Sequence, residues 1–372
     1  MKRPTERILA CALLAVAAAG GHAGDSAGWT VFRGDARMSG TAVDGPAAVP
    51  LEPVWVFEAA AGFEGAVAVD ANGNVYAGSL DGFLYALDVD GKLRWKYETG
   101  AEIKGSPAVA GGTVFVGDGD GVLHGVDATS GKARWTFATE GEIVSSPNPV
   151  DGKVLFGSHD EALYAVAAAD GKLLWKVQTQ GYVYGSPAVA AERVVSAGCD
   201  GVLRVIDLAT GEVNKEIAIG AYVGATPALD GDRAYFGTYD NEVLALSLSQ
   251  GNVLWRYKNP ERLFPYLSSA AVADKTVLVG GRDKLLHAID AGSGEGRWTF
   301  STRGKIDSSP VVAGGRVYFG SSSGEIFALS VADGSAVWKF DTGSSILASP
   351  AVAHGSLYIG TLDGQLYRFR SK

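Results

Sequence analysis

Histidine, cysteine and clustered acidic residues are the side chains of this sequence that could perform acid–base, redox or metal chemistry. Beyond residue 23, the histidines are His124, His159, His287 and His354. HExxH and CxxCH, which place such residues at fixed spacings, do not occur in the chain, nor does a Walker loop. We also predict no GxSxG nucleophile. The residues therefore predict no catalytic, cofactor-binding or metal-binding side chain, and we expect the protein not to be an enzyme.

The segment closest to a calcium-binding motif is Asp118-Gly119-Asp120-Gly121. An EF-hand loop needs additional oxygen ligands and a closing bidentate glutamate, and this segment has neither. Residues 240–242 and 282–284 occupy the corresponding positions of other repeats, and their chemistry differs. We therefore predict exposed tight turns at these positions rather than metal sites.

Residues 1–23 have the composition of a secretory signal peptide. Lys2, Arg3 and Arg7 precede an apolar run over residues 8–19, and residues 21–23 form a small-x-small cleavage site. The apolar run is shorter than the roughly 20 residues that span a bilayer, and no later segment approaches that length. The pattern predicts an exported protein without a transmembrane segment, located in the periplasm or associated with the cell envelope.

The two cysteines, Cys11 and Cys199, bear on anchoring and redox chemistry. Cys11 follows a lipobox-like Ile-Leu-Ala, but the apolar run continues after it, whereas a lipobox closes the run. We therefore expect Cys11 to leave with the signal peptide rather than to hold a lipid anchor. Cys199 is then the one mature cysteine, so no intramolecular disulfide can form. It is predicted to be a small buried hydrophobe, with a reactive thiol as the alternative.

Charge restricts the class of partner. The formal net charge is −9 at pH 7, and removal of residues 1–23 takes away three basic residues and one acidic residue, which leaves −11. Nucleic acids and anionic membranes attract basic surfaces. The acidity of the mature chain therefore argues against both as partners.

Tryptophans recur with a period that predicts repeated structural units. Seven of the eight tryptophans stand at positions 55, 95, 135, 175, 255, 298 and 338, and their spacing is 40 residues apart from one interval of 80 and one of 43. The interval of 80 contains Lys215 where the aligned repeat has Trp135. A period of this length indicates a solenoid or a propeller.

Each repeat predicts a four-stranded antiparallel meander. Residues 106–137 contain four alternating apolar runs that are separated by glycine-rich turn signals. The last repeat ends before its tryptophan, whereas Trp55 has no complete unit before it. We therefore predict an all-β, eight-bladed β-propeller at residues 55–372, closed by an N-terminal strand, with residues 24–54 as a lead-in strap. The tryptophans expected to pack between blades are Trp55, Trp95, Trp135, Trp175, Trp255, Trp298 and Trp338.

Two of the histidines fall in a column of the repeat that is otherwise aromatic. His124 and His287 align with Tyr85, Tyr164 and Tyr367. We therefore expect both histidines to be half-buried packing residues.

The connections of such a propeller predict its binding surface. In a four-stranded meander, the turns between second and third strands share a face with the links between blades, and loops commonly carry function. The large apolar residues of consecutive repeats on this face are Tyr182, Tyr184, Tyr222, Tyr239, Leu263, Phe264 and Tyr266. The last three lie in residues 258–269, the link that contains the three residues beyond the period. We predict that this set binds a protein or peptide partner; packing within the channel mouth is the alternative.

The repeats resemble the pyrroloquinoline-quinone-like (PQQ-like) propeller repeat family. The resemblance lies in GxLYALDxxTGxxxW-type segments such as residues 82–95 and 121–135, and in the opening WTVFRGDARMSG at residues 29–40. It covers nearly the whole mature chain and implies the eight-bladed fold. The family includes calcium- and quinone-dependent alcohol dehydrogenases, the outer-membrane assembly lipoprotein BamB and exported proteins of unassigned role, so the fold does not fix the function.

Comparison with the catalytic members implies the BamB-like, non-catalytic branch of this family. Those members resemble one another in an adjacent cysteine pair over the quinone, in Glu, Asn and Asp calcium ligands, and in long inter-blade insertions. This chain has one mature cysteine and hardly any insertions. The resemblance implies a monomeric scaffold without a cofactor, within a larger envelope complex such as that for outer-membrane protein assembly. An oxidoreductase that holds PQQ and calcium, and a small-ligand sensor, are the alternatives.

Overall fold

The computed structural model describes residues 28–372, so the predictions for residues 1–23, including Cys11, lie outside the described residues. Over residues 28–372 the chain forms β-strands in eight four-stranded antiparallel sheets. Inner strands of neighbouring blades lie side by side around a ring, which gives the predicted eight-bladed β-propeller. This part of the chain contains no helix that is long and apolar enough to cross a membrane.

Every blade has the same order of strands from the channel outwards. Blade 1 consists of β2 (Ala68–Val69), β3 (Val75–Gly78), β4 (Phe83–Leu87) and β5 (Leu93–Glu98); blade 2 of β6 (Ala108–Ala110), β7 (Thr113–Gly117), β8 (Val122–Asp127) and β9 (Ala133–Ala138); blade 3 of β10 (Asn148–Val150), β11 (Lys153–Ser158), β12 (Ala162–Ala167) and β13 (Leu173–Gln178); and blade 4 of β14 (Ala188–Ala190), β15 (Arg193–Ala197), β16 (Val202–Asp207) and β17 (Val213–Ala218). Blade 5 consists of β18 (Ala228–Asp230), β19 (Arg233–Gly237), β20 (Val243–Ser247) and β21 (Asn252–Tyr257); blade 6 of β22 (Ala271–Ala273), β23 (Thr276–Gly280), β24 (Leu285–Asp290) and β25 (Gly296–Ser301); blade 7 of β26 (Val311–Ala313), β27 (Arg316–Gly320), β28 (Glu325–Ser330) and β29 (Ala336–Asp341); and blade 8 of β30 (Ala351–Ala353), β31 (Ser356–Gly360), β32 (Gln365–Ser371) and β1 (Leu51–Glu58).

Blade 8 joins the two ends of the propeller. Its outer strand is β1, which pairs antiparallel with β32 and places Trp55 opposite Arg368. The predicted closure by an N-terminal strand is therefore confirmed. Because β1 begins at Leu51, residues 51–54 of the expected lead-in strap belong to the closing strand.

Tryptophans join neighbouring blades at their outer strands. The indole of Trp135, for example, donates a hydrogen bond of 3.1 Å to the carbonyl of Ala168 in the next blade. Gly171 of that blade has a φ of 72° and lies on the same ring, so close that an added Cβ would be 2.6 Å from an indole carbon. The equivalent bond is made by Trp55, Trp95, Trp175, Trp255, Trp298 and Trp338. At the position without a tryptophan, the Lys215 ammonium donates to the carbonyl of Leu248 at 3.2 Å.

A belt of hydroxyl groups joins the inner strands around the channel. The backbone N–H of Ser106 donates to Oγ of Ser146 at 2.9 Å, and the N–H of Ser146 donates in the same way to Ser186. Equivalent bonds of 2.8 to 3.0 Å continue from blade to blade between Ala66 and Ser349. The serine or threonine hydroxyl that precedes each inner strand from blade 2 to blade 8 therefore ties its blade to the preceding one.

The lead-in strap crosses the channel on the side of the β6–β7 turn and its equivalents. Its backbone carbonyls accept hydrogen bonds from successive inner strands: Thr30 O from Val109 N at 2.8 Å and Gly40 O from Val312 N at 2.8 Å. Phe32 of the strap lines the lower part of the cavity that opens on the opposite face. The strap therefore forms the floor of that opening.

Arg33 is a fully buried cation within the strap. Its side chain is 0% exposed, its φ is 65°, and Nη2 donates to the carbonyl of Ala270 at 2.9 Å. Burial lowers the pKa of Arg33 to about 9, although the negative charge of Asp35 opposes this effect. Nε and Nη1 have no hydrogen-bond partner among the described residues. The guanidinium is thus charged at neutral pH, and its burial costs folding free energy.

Candidate partner-binding site

The links between blades and the turns between second and third strands share one face of the ring, which we call the link face. A repeated backbone hydrogen bond of 2.9 to 3.2 Å holds each turn to the link that enters its blade. Its donors and acceptors include Gly119 N to Glu102 O, His159 N to Glu142 O, Cys199 N to Tyr182 O and Tyr239 N to Tyr222 O. These bonds fix the flanking side chains around the mouth of the channel.

The mouth of the channel is a cavity of about 170 Å³. Hydroxyl groups of the belt line its lower part, and the link residues at its rim are Glu64, Lys104, Val144, Tyr184, Gly224, Leu267, Asp307 and Leu347. The Lys104 ammonium lies 2.6 Å from the carboxylate of Glu142, and the Arg282 guanidinium lies 2.9 Å from that of Asp307. Lys104 and Asp307 at the rim are therefore compensated by neighbouring charges, whereas Glu64 forms no ion pair within the described residues and burial raises its pKa.

Five of the predicted binding residues are exposed beside this mouth. The exposed fractions are 47% for Tyr182, 62% for Tyr222, 41% for Tyr239, 59% for Leu263 and 49% for Phe264. They come from three consecutive links and the β19–β20 turn, so they lie on one side of the ring. We call these five residues the exposed arc. Large apolar side chains that cluster in this way on a surface are typical of an interaction site.

Tyr184 and His159 support one end of the exposed arc. The His159 ring stacks on Tyr182 at a centroid distance of 4.9 Å and meets the edge of Tyr184 at 4.3 Å. Tyr184 is only partly exposed, and burial raises the pKa of its hydroxyl. Burial also lowers the pKa of His159, although Glu142 lies 3.4 Å away. Tyr184 and a neutral His159 thus pack at the mouth and hold the Tyr182 ring towards solvent.

Tyr266 is a core residue, contrary to the prediction that it contacts a partner. It is 1% exposed, and its ring packs edge-on against His287 at 5.2 Å. A Cβ added to Gly237 would be 2.5 Å from the Cβ of Tyr266, as one added to Gly280 would be 2.3 Å from Cγ2 of Ile306. Tyr266 therefore occupies the buried isoleucine position of the repeat, because the three extra residues of its link precede it.

Two anchors hold the longer link so that Leu263 and Phe264 project outwards. Near its start, Nδ2 of the buried Asn259 donates to the carboxylate of Asp283 at 3.0 Å, and Arg262 Nη1 donates to the backbone carbonyl of Asp283 at 3.0 Å. Near its end, Tyr266 is fixed in the core. Asn259 was not recognised in the sequence, although it stands where other links have a threonine.

Two histidines lie inside blades rather than at the mouth. His124 is 4% exposed, and its Nε2 and Nδ1 lie 2.8 Å from Asp118 and 3.1 Å from the Tyr97 hydroxyl. His287 has the same arrangement with Asp283 and Tyr257. Both are thus more deeply buried than predicted, and their hydrogen bonds tie a strand to a link-face turn.

The link-face turns contain carboxylates and one thiol whose chemistry is accounted for locally. Asp118 accepts the backbone N–H groups of Asp120 and Val122 at 3.1 and 2.8 Å, which explains the tight turn predicted there. Cys199 is half-buried in the equivalent turn of blade 4, and burial raises the pKa of its thiol. Within residues 28–372, no group of three or more His, Cys, Asp or Glu side chains is arranged to hold a metal ion.

A serine motif that was not recognised in the sequence lies in the turn between β27 and β28. Residues 320–324 have the GxSxG spacing of a hydrolase nucleophile elbow. That elbow is a strand-to-helix turn, whereas this segment connects two antiparallel strands. Ser322 N donates to Lys305 O at 2.9 Å, which is the structural bond of the link face. The motif therefore lacks the context of a catalytic serine.

The chain is similar to known proteins in a family model and in solved structures. The family model described as outer membrane protein assembly factor BamB matches residues 52–149, 139–264 and 265–372. No curated protein matches the chain significantly. Among solved structures, BamB from Moraxella catarrhalis has a TM-score of 0.75 and 19% sequence identity, over 87% of this chain and 98% of that chain.

Dehydrogenases share the same fold. The quinohemoprotein alcohol dehydrogenase from Comamonas testosteroni has a TM-score of 0.79 and 13% identity, over 92% of this chain and 80% of that chain. A europium-containing methanol dehydrogenase has a TM-score of 0.75 and 14% identity, over 93% and 98% of the two chains. These likenesses show the fold alone. The family model, in contrast, matches almost the whole propeller sequence, and the chain therefore belongs to the BamB-like family of PQQ-like β-propellers.

Proposed function

We propose that the protein is a non-catalytic scaffold of the cell envelope that binds a protein or peptide partner through the exposed arc. The observation that carries this proposal is the arc itself, where five large apolar side chains are exposed on one side of the channel mouth. Membership of a family described by an outer-membrane assembly factor supports a BamB-like role in outer-membrane protein assembly. An N-terminal segment of signal-peptide composition supports export.

The exposed arc offers enough apolar surface for a specific interface. Covering an aromatic ring that is about half exposed removes roughly 100 Å² from water, which contributes about 2 to 3 kcal/mol. Tyr182, Tyr222 and Phe264 are such rings, and the packed pair of His159 and Tyr184 limits the motion of the first. Rigid aromatic side chains are the typical anchors of interfaces because little rotamer freedom is lost when they bind.

We expect the residues at the mouth not to hold a quinone with calcium. A quinone carboxylate would need cationic donors, yet Lys104 is already paired with Glu142 and Glu102, and Arg282 with Asp307. The mouth cavity, at about 170 Å³, is also smaller than the roughly 300–1,000 Å³ of small-molecule sites. The donor set therefore favours the scaffold over an oxidoreductase.

Affinity capture from an envelope extract tests the proposed function. The protein and a variant with Tyr182, Tyr184, Tyr222 and Phe264 changed to alanine are compared as baits, after circular dichroism shows that both are folded. We expect the variant to lose the partners that the unchanged protein captures. Full recovery of the same partners by the folded variant would contradict the role of the exposed arc.

A matched variant controls for loss of exposed apolar surface in general. Val56, Leu173 and Val337 lie on outer strands and are 44%, 50% and 42% exposed. Their replacement by alanine should leave partner capture unchanged. Titration of the purified protein with PQQ and Ca²⁺ in a dye-linked oxidation assay tests the alternative, and turnover of an alcohol or a sugar would overturn the non-catalytic assignment.

A further inference from the structure

Charged residues are segregated on the link face. The links and turns of blades 1 to 3 carry Glu98, Glu102, Asp120, Glu140, Glu142 and Glu161, which we call the acidic sector. Within residues 98–104, 118–122, 139–142 and 159–161, Lys104 is the one lysine or arginine. It pairs with Glu142 at 2.6 Å and with Glu102 at 3.3 Å. The other four carboxylates form no ion pair within residues 28–372, so the sector is strongly negative.

Cations gather on the other side of the ring. The links on both sides of blade 6, together with its turn, carry Arg262, Arg282, Lys284, Arg303 and Lys305, which we call the basic sector. The same segments also carry three acids, Glu261, Asp283 and Asp307, so the five cations are only partly compensated. Asp283 is buried and bonded to His287 and Asn259, and Asp307 is shared by Arg282 and Lys305 at 2.9 Å each.

Arg303, a highly exposed member of the basic sector, is only weakly paired. The Arg303 side chain is 76% exposed and lies 3.8 Å from Glu325. Glu325 is also contacted by Lys339 at 2.9 Å. Lys284 forms no ion pair in the described part of the chain. Although the protein has a net charge of −9, this part of its link face is therefore positive.

The exposed arc lies between the two sectors around the ring. Going from blade to blade, the acidic sector ends in the β11–β12 turn, Tyr182 and Tyr222 follow in the next two links, and Leu263 and Phe264 adjoin Arg262 in the link after those. A partner that covers the arc therefore extends over a negative surface at one end and a positive surface at the other. Opposite charges placed there would speed association and fix orientation, whereas like charges would be rejected.

We propose that the partner of this face is an extended polypeptide segment with a charge polarity. Its lysines or arginines lie over the acidic sector, apolar side chains cover the exposed arc, and aspartates or glutamates lie over the basic sector. This inference rests on the proposed function and adds the chemistry and orientation of the partner. A second copy of this chain, turned by a twofold axis, would also bring opposite sectors together, and the test below separates that occupant from a peptide.

Three synthetic peptides with the same Leu-Phe-Leu-Phe centre provide the probe. One has a lysine block at one end and a glutamate block at the other, one has lysine blocks at both ends, and one has glutamate blocks at both ends. Binding to the full mature protein is measured by fluorescence anisotropy at low and high salt. We expect the bipolar peptide to bind at least about tenfold more tightly than either control at low salt, with the difference shrinking as salt screens the charges.

Charge reversals on the protein test the assignment of each sector. Glu102→Lys with Glu140→Lys, and separately Lys284→Glu with Arg303→Glu, should each weaken binding of the bipolar peptide by about tenfold. The combination of all four changes should weaken binding more than either pair, because four carboxylates remain in the acidic sector and the polarity is removed rather than inverted. Matched reversals on the opposite face, Glu192→Lys and Lys132→Glu, should have no effect.

The outcomes distinguish this inference from the proposed function. Equal binding of the three peptides, or no detectable binding of the bipolar one, overturns the charge polarity. Self-association of the protein that the sector reversals abolish overturns it in favour of a second copy. If envelope partners are lost with the alanine variant of the arc but retained by both sector reversals, the proposed function stands and the charge polarity fails.

Discussion

Replacement of Trp175 by alanine tests whether the tryptophans stabilise the ring by joining blades. Trp175 is 7% exposed, donates to the carbonyl of Leu208 at 3.1 Å, and lies under Gly211. Burial of an indole ring contributes about 4 to 6 kcal/mol as an upper bound, and removal of a large aromatic side chain typically costs about 3 to 5 kcal/mol. We therefore expect Trp175→Ala to lower the free energy of unfolding by about 3 to 5 kcal/mol.

Two comparisons separate the contributions of the ring and of its hydrogen bond. Trp175→Phe keeps most of the apolar contact but leaves the Leu208 carbonyl without its donor, so we expect a cost of about 1 to 2 kcal/mol. Lys215→Ala, at the position without a tryptophan, should cost about 1 kcal/mol because a flexible chain and its hydrogen bonds to the carbonyls of Leu248 and Ser249 are lost. The assay is urea-induced unfolding followed by circular dichroism, with midpoints compared at a common slope.

A coupling measurement makes this prediction sharper. An added Cβ on Gly211 would be 2.7 Å from Cγ of Trp175, and Gly211 has a φ of 76°. Gly211→Ala should therefore cost about 2 kcal/mol or more in the unchanged protein, but only the backbone part, about 1 kcal/mol, when Trp175 is already alanine. A cost below about 1 kcal/mol for Trp175→Ala, or strictly additive effects in the pair, would refute the reasoning.

Two further predictions concern the channel. Ser146→Ala removes the acceptor for the buried N–H of Ser106, so the free energy of unfolding should fall by about 1 to 3 kcal/mol. Ala66→Ser supplies a hydroxyl next to the amide of Ser349, so it should raise the free energy of unfolding by about 0.5 to 1.5 kcal/mol. Both are measured by the same urea titration, and a cost-free Ser146→Ala would show that the belt contributes no stability. Arg33→Met should stabilise the protein by about 1 to 4 kcal/mol at pH 7, because a buried cation is replaced by an apolar chain. Since the pKa of Arg33 is lowered from 12.5 to about 9 on folding, the unfolded chain binds more protons between these values, and the stability of the unchanged protein rises with pH in that window. The advantage of Arg33→Met should therefore shrink by about 1 kcal/mol between pH 7 and pH 10, and an advantage that grows would contradict the sign.

The repeat period predicted the blades because each blade is a local structure. Turn glycines, apolar alternation and the tryptophan position all lie within one repeat of 40 residues, so a single repeat contains the information for its meander. Closure by β1 followed from the incomplete last repeat. Lys215 could be placed by alignment, but its bond to the Leu248 carbonyl depends on the neighbouring blade.

Features that depend on several blades were not predicted. The belt needs the N–H of one blade and the hydroxyl of the next, and the strap contacts strands that lie far from it in the sequence. Tyr266 was assigned to the surface because the three extra residues of its link shift the apparent alignment, whereas Gly237 leaves room for its side chain in the core. The connectivity of the strands predicted that Tyr222 and Phe264 lie on the link face. Their exposure, however, depends on how the links pack around the channel mouth, which only the structure shows.

Site-specific photo-crosslinking in the envelope tests the central claim most directly. A benzophenone amino acid is placed at Tyr222, which is 62% exposed in the arc, and in a matched protein at Leu173, which is 50% exposed on an outer strand. On irradiation we expect the probe at Tyr222 to give a discrete crosslink to one partner, and the yield of this crosslink should fall when unlabelled protein is added. The probe at Leu173 should give no crosslink. Absence of a crosslink at Tyr222, or the same crosslink from Leu173, would contradict binding through the exposed arc.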